Sequence, residues 1–169
     1  MNKLLRTWLR AAFALVLLAS LALAGCGSTA DTNTGPTDEA HGKQASPNYD
    51  VVFAQDKVNR LDVVIAKDRW QAMLDDMTKQ YGTFGARGES DIDTIVSDNP
   101  IWSECTVTFD NITWEHVGIR FKGYSSLKSS WRAGIWKLPF RLDFDQFEDD
   151  YPEINDQRFY GFKKLSLSS

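Results

Sequence analysis

The cleanest hydrophobic pattern in the chain runs from Ile135 to Phe144, where Trp136, Leu138, Phe140, Leu142 and Phe144 alternate with Lys137, Pro139, Arg141 and Asp143. A period of two puts one set on each face of a strand. Large apolar side chains along one face require a core beneath them, and Pro139, which has no N–H to give a ladder, predicts an edge strand or a bulge at that point. A second pattern has the helical period. Trp70, Met73, Leu74, Met77 and Tyr81 line one apolar helix face, with Asp68 as the expected N-cap and Gly82 as the stop.

Shorter runs complete the outline. Val51 to Phe53 and Leu61 to Ile65 read as strands, the second alternating through Leu61, Val63 and Ile65. Thr83 to Pro100 is polar and reads as a long loop. Cys105, Val107 and Phe109 alternate with Thr106 and Thr108, Asp110-Asn111 supplies a turn, and Ile112, Trp114, Val117, Ile119 and Phe121 form the return strand of a hairpin. The apolar phase slips between Trp114 and Val117, which predicts a bulge near His116. A lone His beside a bulge reads as structural rather than as a general base. Asp145 to Asp150 is expected to form one acidic helical turn before Pro152, and Phe162 to Leu167 a final strand. Alternation assigns Trp114 and Trp136 to the core, and no internal repeat is present. The expected fold is α+β, an antiparallel sheet with one packed helix.

Residues 1–48 stand apart from this pattern. Lys3, Arg6 and Arg10 make a basic head, Ala11 to Leu23 an apolar run short for a bilayer, and Leu23-Ala24-Gly25-Cys26 follows. That tetrapeptide resembles a bacterial lipobox. The resemblance implies a signal peptide over residues 1–25, cleavage before Cys26, and lipid on its sulfur. The protein is then expected to be exported and anchored on the outer side of the cytoplasmic membrane or in the cell envelope. An uncleaved anchor and an ordinary secretory signal are the alternatives. Residues 26–48 are polar and read as a flexible tether in which His41, near Asp38 and Glu39, belongs to a solvated tail and not to a metal cluster. The folded part is expected over residues 49–169. Two cysteines, Cys26 and Cys105, are too few for a disulfide framework, a zinc site or a redox motif.

Charge narrows the chemistry. The formal net charge is −4, and the signal segment contributes only positive charges, so the remainder is more acidic still. That balance argues against nucleic acid as a partner, which would need a broad basic field. Yet between Glu115 and Asp143 there is no acidic residue, while Arg120, Lys122, Lys128, Arg132, Lys137 and Arg141 crowd together. A basic segment on an acidic chain points to a discrete anion site. The strand ending at Phe121, the turn Lys122-Gly123-Tyr124-Ser125-Ser126 and the returning strand suit a cover over nucleotide phosphates: glycine permits close backbone approach, and serine and lysine donate to phosphate oxygens. Lys137 and Arg141 on one strand face would stand about 13 Å apart, so one of them at most holds a given phosphate. Neither the G-x-x-x-x-G-K-[ST] loop nor the G-x-G-x-x-G fingerprint is present. Asp143 and Asp145 read as a helix cap at the strand end.

Taken in order, VGIRFKGYSSLKSSWRAG, KLPFRLDFD and QRFYGFKKLSLSS, with FAQDKVNRLDVVI and RWQAML before them, resemble the CotH family, the spore coat protein H kinases. The resemblance covers roughly Val51 to Ser169. It implies the N-terminal, nucleotide-binding lobe of an atypical protein-kinase-like fold, truncated, and a parent protein that transfers phosphate from ATP, with Mg or Mn, to serine or threonine of coat or surface proteins. Lys122, Gly123, Ser125 and Ser126 would lie at the phosphate-covering turn. Lys137 or Arg141 would be the strand cation, Lys137 being favoured by its likeness to the strand lysine of ordinary kinases. The family's acceptor-positioning and metal-binding aspartates lie C-terminal to the matched part, so these residues alone are expected to be nearly inert. The alternative is a non-catalytic cell-surface or spore-coat assembly module whose aromatics, Trp102, Trp114, Trp131 and Trp136 among them, bind glycans or proteins.

Overall fold

A computed structural model describes residues 36–87 and 99–168. Helix α1 (Pro36–His41) and the single turn α2 (Tyr49–Val52) precede strand β1 (Leu61–Ile65) and helix α3 (Lys67–Tyr81). Strands β2 (Ser103–Phe109) and β3 (Ile112–Phe121) form a hairpin, followed by helix α4 (Ser125–Arg132), strand β4 (Phe140–Asp143), a 3-10 turn (Pro152–Ile154) and strand β5 (Lys164–Leu167). The strands make one antiparallel sheet in the order β1-β2-β3-β4-β5.

The hairpin forms as its sequence dictates. Asp110 and Asn111 both take positive φ, 46° and 63°, which only short polar residues and glycine adopt readily and which two-residue turns between twisted strands require. The phase slip is a bulge: Cys105 pairs with Val117 but Val107 pairs with Trp114, and His116 sits at φ 56°. The extra residue brings Trp114 on one side and Val117, Ile119 and Phe121 on the other to the same buried face.

Met73, Met77 and Tyr81 of α3 pack on that face, and Trp70 lies 5.8 Å from Phe121 and 6.4 Å from Phe140 between ring centroids. Helix α4 adds Leu127 and Trp131, whose indole N–H donates to the Gly82 carbonyl at 2.7 Å. At the other end of the sheet Trp114 is fully buried among Phe144, Phe159 and Tyr160, and its N–H donates to the Arg158 carbonyl at 2.8 Å. Each such burial is worth about 1.5–3 kcal/mol.

Several expectations change. Val51 to Phe53 is not a strand, because Asn48 caps a helical turn by accepting from the Val51 N–H at 3.1 Å. Residues 36–48, expected within the tether, pack on the domain: Ala40 is buried, its carbonyl accepts from the Tyr160 N–H at 2.8 Å, and the His41 ring lies 4.7 Å from Trp114. Helix α3 starts at Lys67 after Ala66, so Asp68 is a first-turn acid and not the cap. The strand expected over Ile135 to Phe144 is confined to Phe140–Asp143, and Pro139 precedes it instead of marking an edge or bulge. Trp136 is consequently 57% exposed, outside the core. Residues 144–150 form successive turns instead of a helical turn. Thr83 to Arg87 and Asn99 to Pro100 carry no helix or strand, and the rest of the expected loop lies outside the described residues, as do the signal segment and Cys26. Among the described residues no helix is long and apolar enough to cross a membrane.

Gly161 is where the N-terminal segment locks on. It sits at φ 82°, and a Cβ there would meet the Ser46 carbonyl carbon at 2.4 Å and Pro47 N at 2.5 Å. Backbone strain and a backbone clash act together, so Gly161→Ala is expected to destabilise the fold by roughly 2 kcal/mol or more. Urea unfolding of the two proteins measures the difference, and equal midpoints would contradict this packing.

Candidate functional site

The apolar alternation of β3, β4 and β5 has a polar complement on the opposite face of the sheet. One cross-strand row there is Glu104, Gly118, Asp143 and Lys164; the next is Arg120, Arg141 and Ser166. Lys122 follows Arg120 by two residues, and its backbone N–H donates to the Pro139 carbonyl at 2.9 Å, continuing the ladder. Alternation therefore sets Lys122 on the same side as the two arginines.

Arg120 and Arg141 are Cα partners, both half-buried. The Arg120 guanidinium lies over the Trp102 ring, 4.8 Å from its centroid, and its Nε is buried without a hydrogen-bond partner. Burial first, and then the charge of Arg141, pull the proton affinity of Arg120 down, with Asp143 opposing. Among the described residues no carboxylate is in ion-pair contact with either guanidinium.

The expected site residues are only partly brought together. Arg141 and Lys122 belong to this face. Gly123, at φ 105°, ends the strand and leads into α4, so Ser125 and Ser126 are exposed first-turn residues of a helix and not members of a flexible turn between two strands. The helix arises because Leu127 and Trp131, four apart, bury one side of it. Lys137 is exposed in the segment before β4 and does not share a strand face with Arg141. Arg120, one of six basic residues between Glu115 and Asp143, is the residue directly opposite Arg141. Only the register of β3 on β4 reveals it.

Asp143 and Asp145 are nearly inaccessible and cap no helix; each is held by cations. Asp143 contacts Lys164 at 2.7 Å, while Asp145 contacts Arg158 and Lys163, each at 2.8 Å. Burial pushes the Asp143 carboxyl up, more than Lys164 pulls it down, and the neighbouring Asp145 adds to the rise. For Asp145 burial acts in the same sense, but hydrogen bonds from Lys163, Asp143 and Arg158 prevail and hold it below the usual carboxylate range. Carboxylate oxygens of Asp145, Glu148 and Asp156 come within 4.8 Å of one another. They do not fit a divalent metal: Arg158 spans Asp145 and Asp156 at 2.8 and 3.2 Å, Lys163 fills a further side, and Glu148 accepts the Asp156 N–H at 2.9 Å.

Beside the bulge, His116 Nδ1 and Glu104 Oε1 are 2.7 Å apart, Glu104 also pairs with Arg69, and the His116 ring stacks on Tyr151 at 3.6 Å. Burial opposes ionisation of Glu104, yet the hydrogen bond from His116 and the charge of Arg69 hold its carboxyl below the ordinary range. This network fastens the segment after β4 to the sheet through His116 and Tyr151. Cys105 is buried, which together with Glu104 pushes its thiol up to about 12 and leaves it unreactive. An open cavity of about 550 Å³, lined by Glu39, Lys43, Gln44, Ser46 and Asn48 among others, borders none of the expected site residues.

Comparison of the chain with protein-family models, with curated proteins and with solved structures returns no match. The class of the protein is an α+β fold with a five-stranded antiparallel sheet.

Because the Asp145 carboxyl is depressed in the folded protein, its stabilisation is present above the unfolded carboxylate pKa, near 4, and is lost as pH falls through the lower folded value. Asp145→Asn is expected to cost roughly 2–4 kcal/mol at pH 7, whereas Asp143→Asn, at a carboxyl whose affinity for its proton is raised, costs much less. Urea unfolding at pH 7 and again at pH 3 checks both; equal losses for the two variants at pH 7 would contradict the assignment.

Proposed function

We propose that these residues are the N-terminal, ATP-binding portion of a membrane-tethered CotH-like protein kinase that phosphorylates serine or threonine of coat or surface proteins. The observation that carries the reading is the position of Arg141. It is the one of the two expected strand cations that stands in the ladder on the half-buried polar face, with Lys122 and the start of the covering turn alongside. A guanidinium in that setting offers paired N–H donors to phosphate oxygens, and partial burial strengthens them. Phosphoryl transfer is largely positioning and charge neutralisation, so a fixed cation on a sheet face is the contribution such a lobe makes. Bound Mg or Mn, which the resemblance implies, would neutralise phosphate charge; the acidic cluster around Asp145 is already neutralised by protein cations, and no step is assigned to it.

A second reading, a non-catalytic cell-surface or coat-assembly module, is favoured by one feature. Trp136 is exposed and stacks on Phe84 at 4.1 Å, with Trp131 edge-on behind both. A rigid, accessible indole suits a glycan ring or a partner protein.

Titration with a non-hydrolysable ATP analogue and Mg or Mn separates the two. Arg141→Ala is expected to weaken binding about tenfold or more, and Lys137→Ala to leave it within about twofold. Unchanged affinity in Arg141→Ala would remove the nucleotide site; loss of glycan or coat-protein binding in Trp136→Ala, with no nucleotide binding at all, would favour the module.

A further inference from the structure

The arrangement of Arg120 and Arg141 carries a cost that Trp102 and the charge of Asp143 offset only in part. Like charges directly opposite in an antiparallel ladder repel each other, and sheets ordinarily place an acid across from a base. A buried donor without an acceptor adds a desolvation penalty, and Arg120 Nε is such a donor. Asp143 is the carboxylate whose charge reaches Arg120; Lys164 holds its Oδ2 at 2.7 Å, its Oδ1 is buried without a partner, and burial pushes the carboxyl toward the neutral form. Trp102 occupies one face of the Arg120 guanidinium, which leaves the edge donors of the fork for something else. Where a protein keeps a local conflict of this kind, a functional ligand is the ordinary resolution.

The geometry points to Arg120 and Arg141 as the two halves of one seat for a phosphoryl oxyanion. Two arginines directly opposite each other in the ladder, with Lys122 following on the same side of the sheet, call for a ligand with more than one negative charge and oxygens in more than one plane. A phosphoryl group supplies both; a single carboxylate supplies neither. The inference rests on Arg141 as the anion-contacting residue of the proposed nucleotide site. It goes further in requiring Arg120 equally, and in assigning recognition to the phosphoryl group itself, whether it belongs to a nucleotide or to a free phosphate.

Calorimetric titration of the full chain with pyrophosphate, with the Mg-bound ATP analogue and with citrate distinguishes these sources. Arg120→Gln and Arg141→Gln are each expected to weaken pyrophosphate binding about tenfold or more, and the double substitution is expected to be less damaging than the product of the two, since both act on one ligand. Pyrophosphate binding that survives Arg120→Gln overturns the seat, and so does citrate binding as tightly as pyrophosphate. If the ATP analogue depends on Arg141 but not on Arg120, the nucleotide site stands and the two-arginine seat falls. If pyrophosphate depends on both while the analogue does not bind, the seat stands and the nucleotide reading falls. Thermal melting without ligand supplies the control for folding. Arg141→Gln relieves the repulsion and is expected to melt at or above the wild-type temperature; a drop of several degrees would mark Arg141 as a structural residue and overturn the proposal.

Discussion

Strand β3 must deliver large apolar side chains from both ends of its length to one core, and most of the structure follows from how it does so. Without the bulge, Trp114 and Val117 would lie on opposite faces, since they stand three positions apart and side chains alternate. The left-handed residue His116 absorbs the extra position and restores a single buried face. That face then accepts α3 and α4 at one end and the Phe144, Phe159 and Tyr160 cluster at the other, with Ala40 of α1 closing over the same core. The strained residue does not stand alone. Glu104 holds the imidazole by a hydrogen bond and Tyr151 by stacking, while Arg69 fixes Glu104 by charge, so the network offsets the conformational cost of the bulge.

Committing the apolar side chains to one face leaves the charged ones on the other. Most charges there are matched. Asp143 has Lys164, and Asp145 has Lys163 and Arg158. Arg120 and Arg141 are the departure from that rule, set directly opposite each other where the register of β3 and β4 could have paired unlike charges. The contrast within one sheet face is what gives the pair its meaning: the same few strands set a cation against each of the two buried carboxylates and set two arginines opposite each other.

Helix α4 changes what the basic segment can do. As a loose turn, Lys122 to Ser126 would have wrapped a ligand from above. With Leu127 and Trp131 anchoring a helix beneath it, the turn is fixed at its C-terminal side, and Gly123 carries the change of direction. Lys137, beyond the helix, belongs to the exposed segment that also carries Trp136. Cationic and aromatic features that adjoin in sequence are thereby divided between two surfaces, the polar sheet face and the Trp136–Phe84 stack.

Periodicity was sufficient wherever an element's partners lie nearby or its pattern is long: α3, the β2–β3 hairpin with its turn and bulge, β1, and the core position of Trp114 can all be read from the chain. A hairpin register is fixed locally by its turn and alternation, and a helix face by spacing alone. What the sequence could not decide was which apolar alternations are used. Trp136 continues the pattern of β4 but stays outside, because Pro139 and the geometry of α4 end the ladder before it is reached. Residues 36–48 look too polar to fold, yet they pack because Gly161, distant in sequence, offers a surface without a side chain. The opposition of Arg120 and Arg141 depends on the pairing of strands separated by a helix, a relation set by packing over the whole core, and no local spacing encodes it.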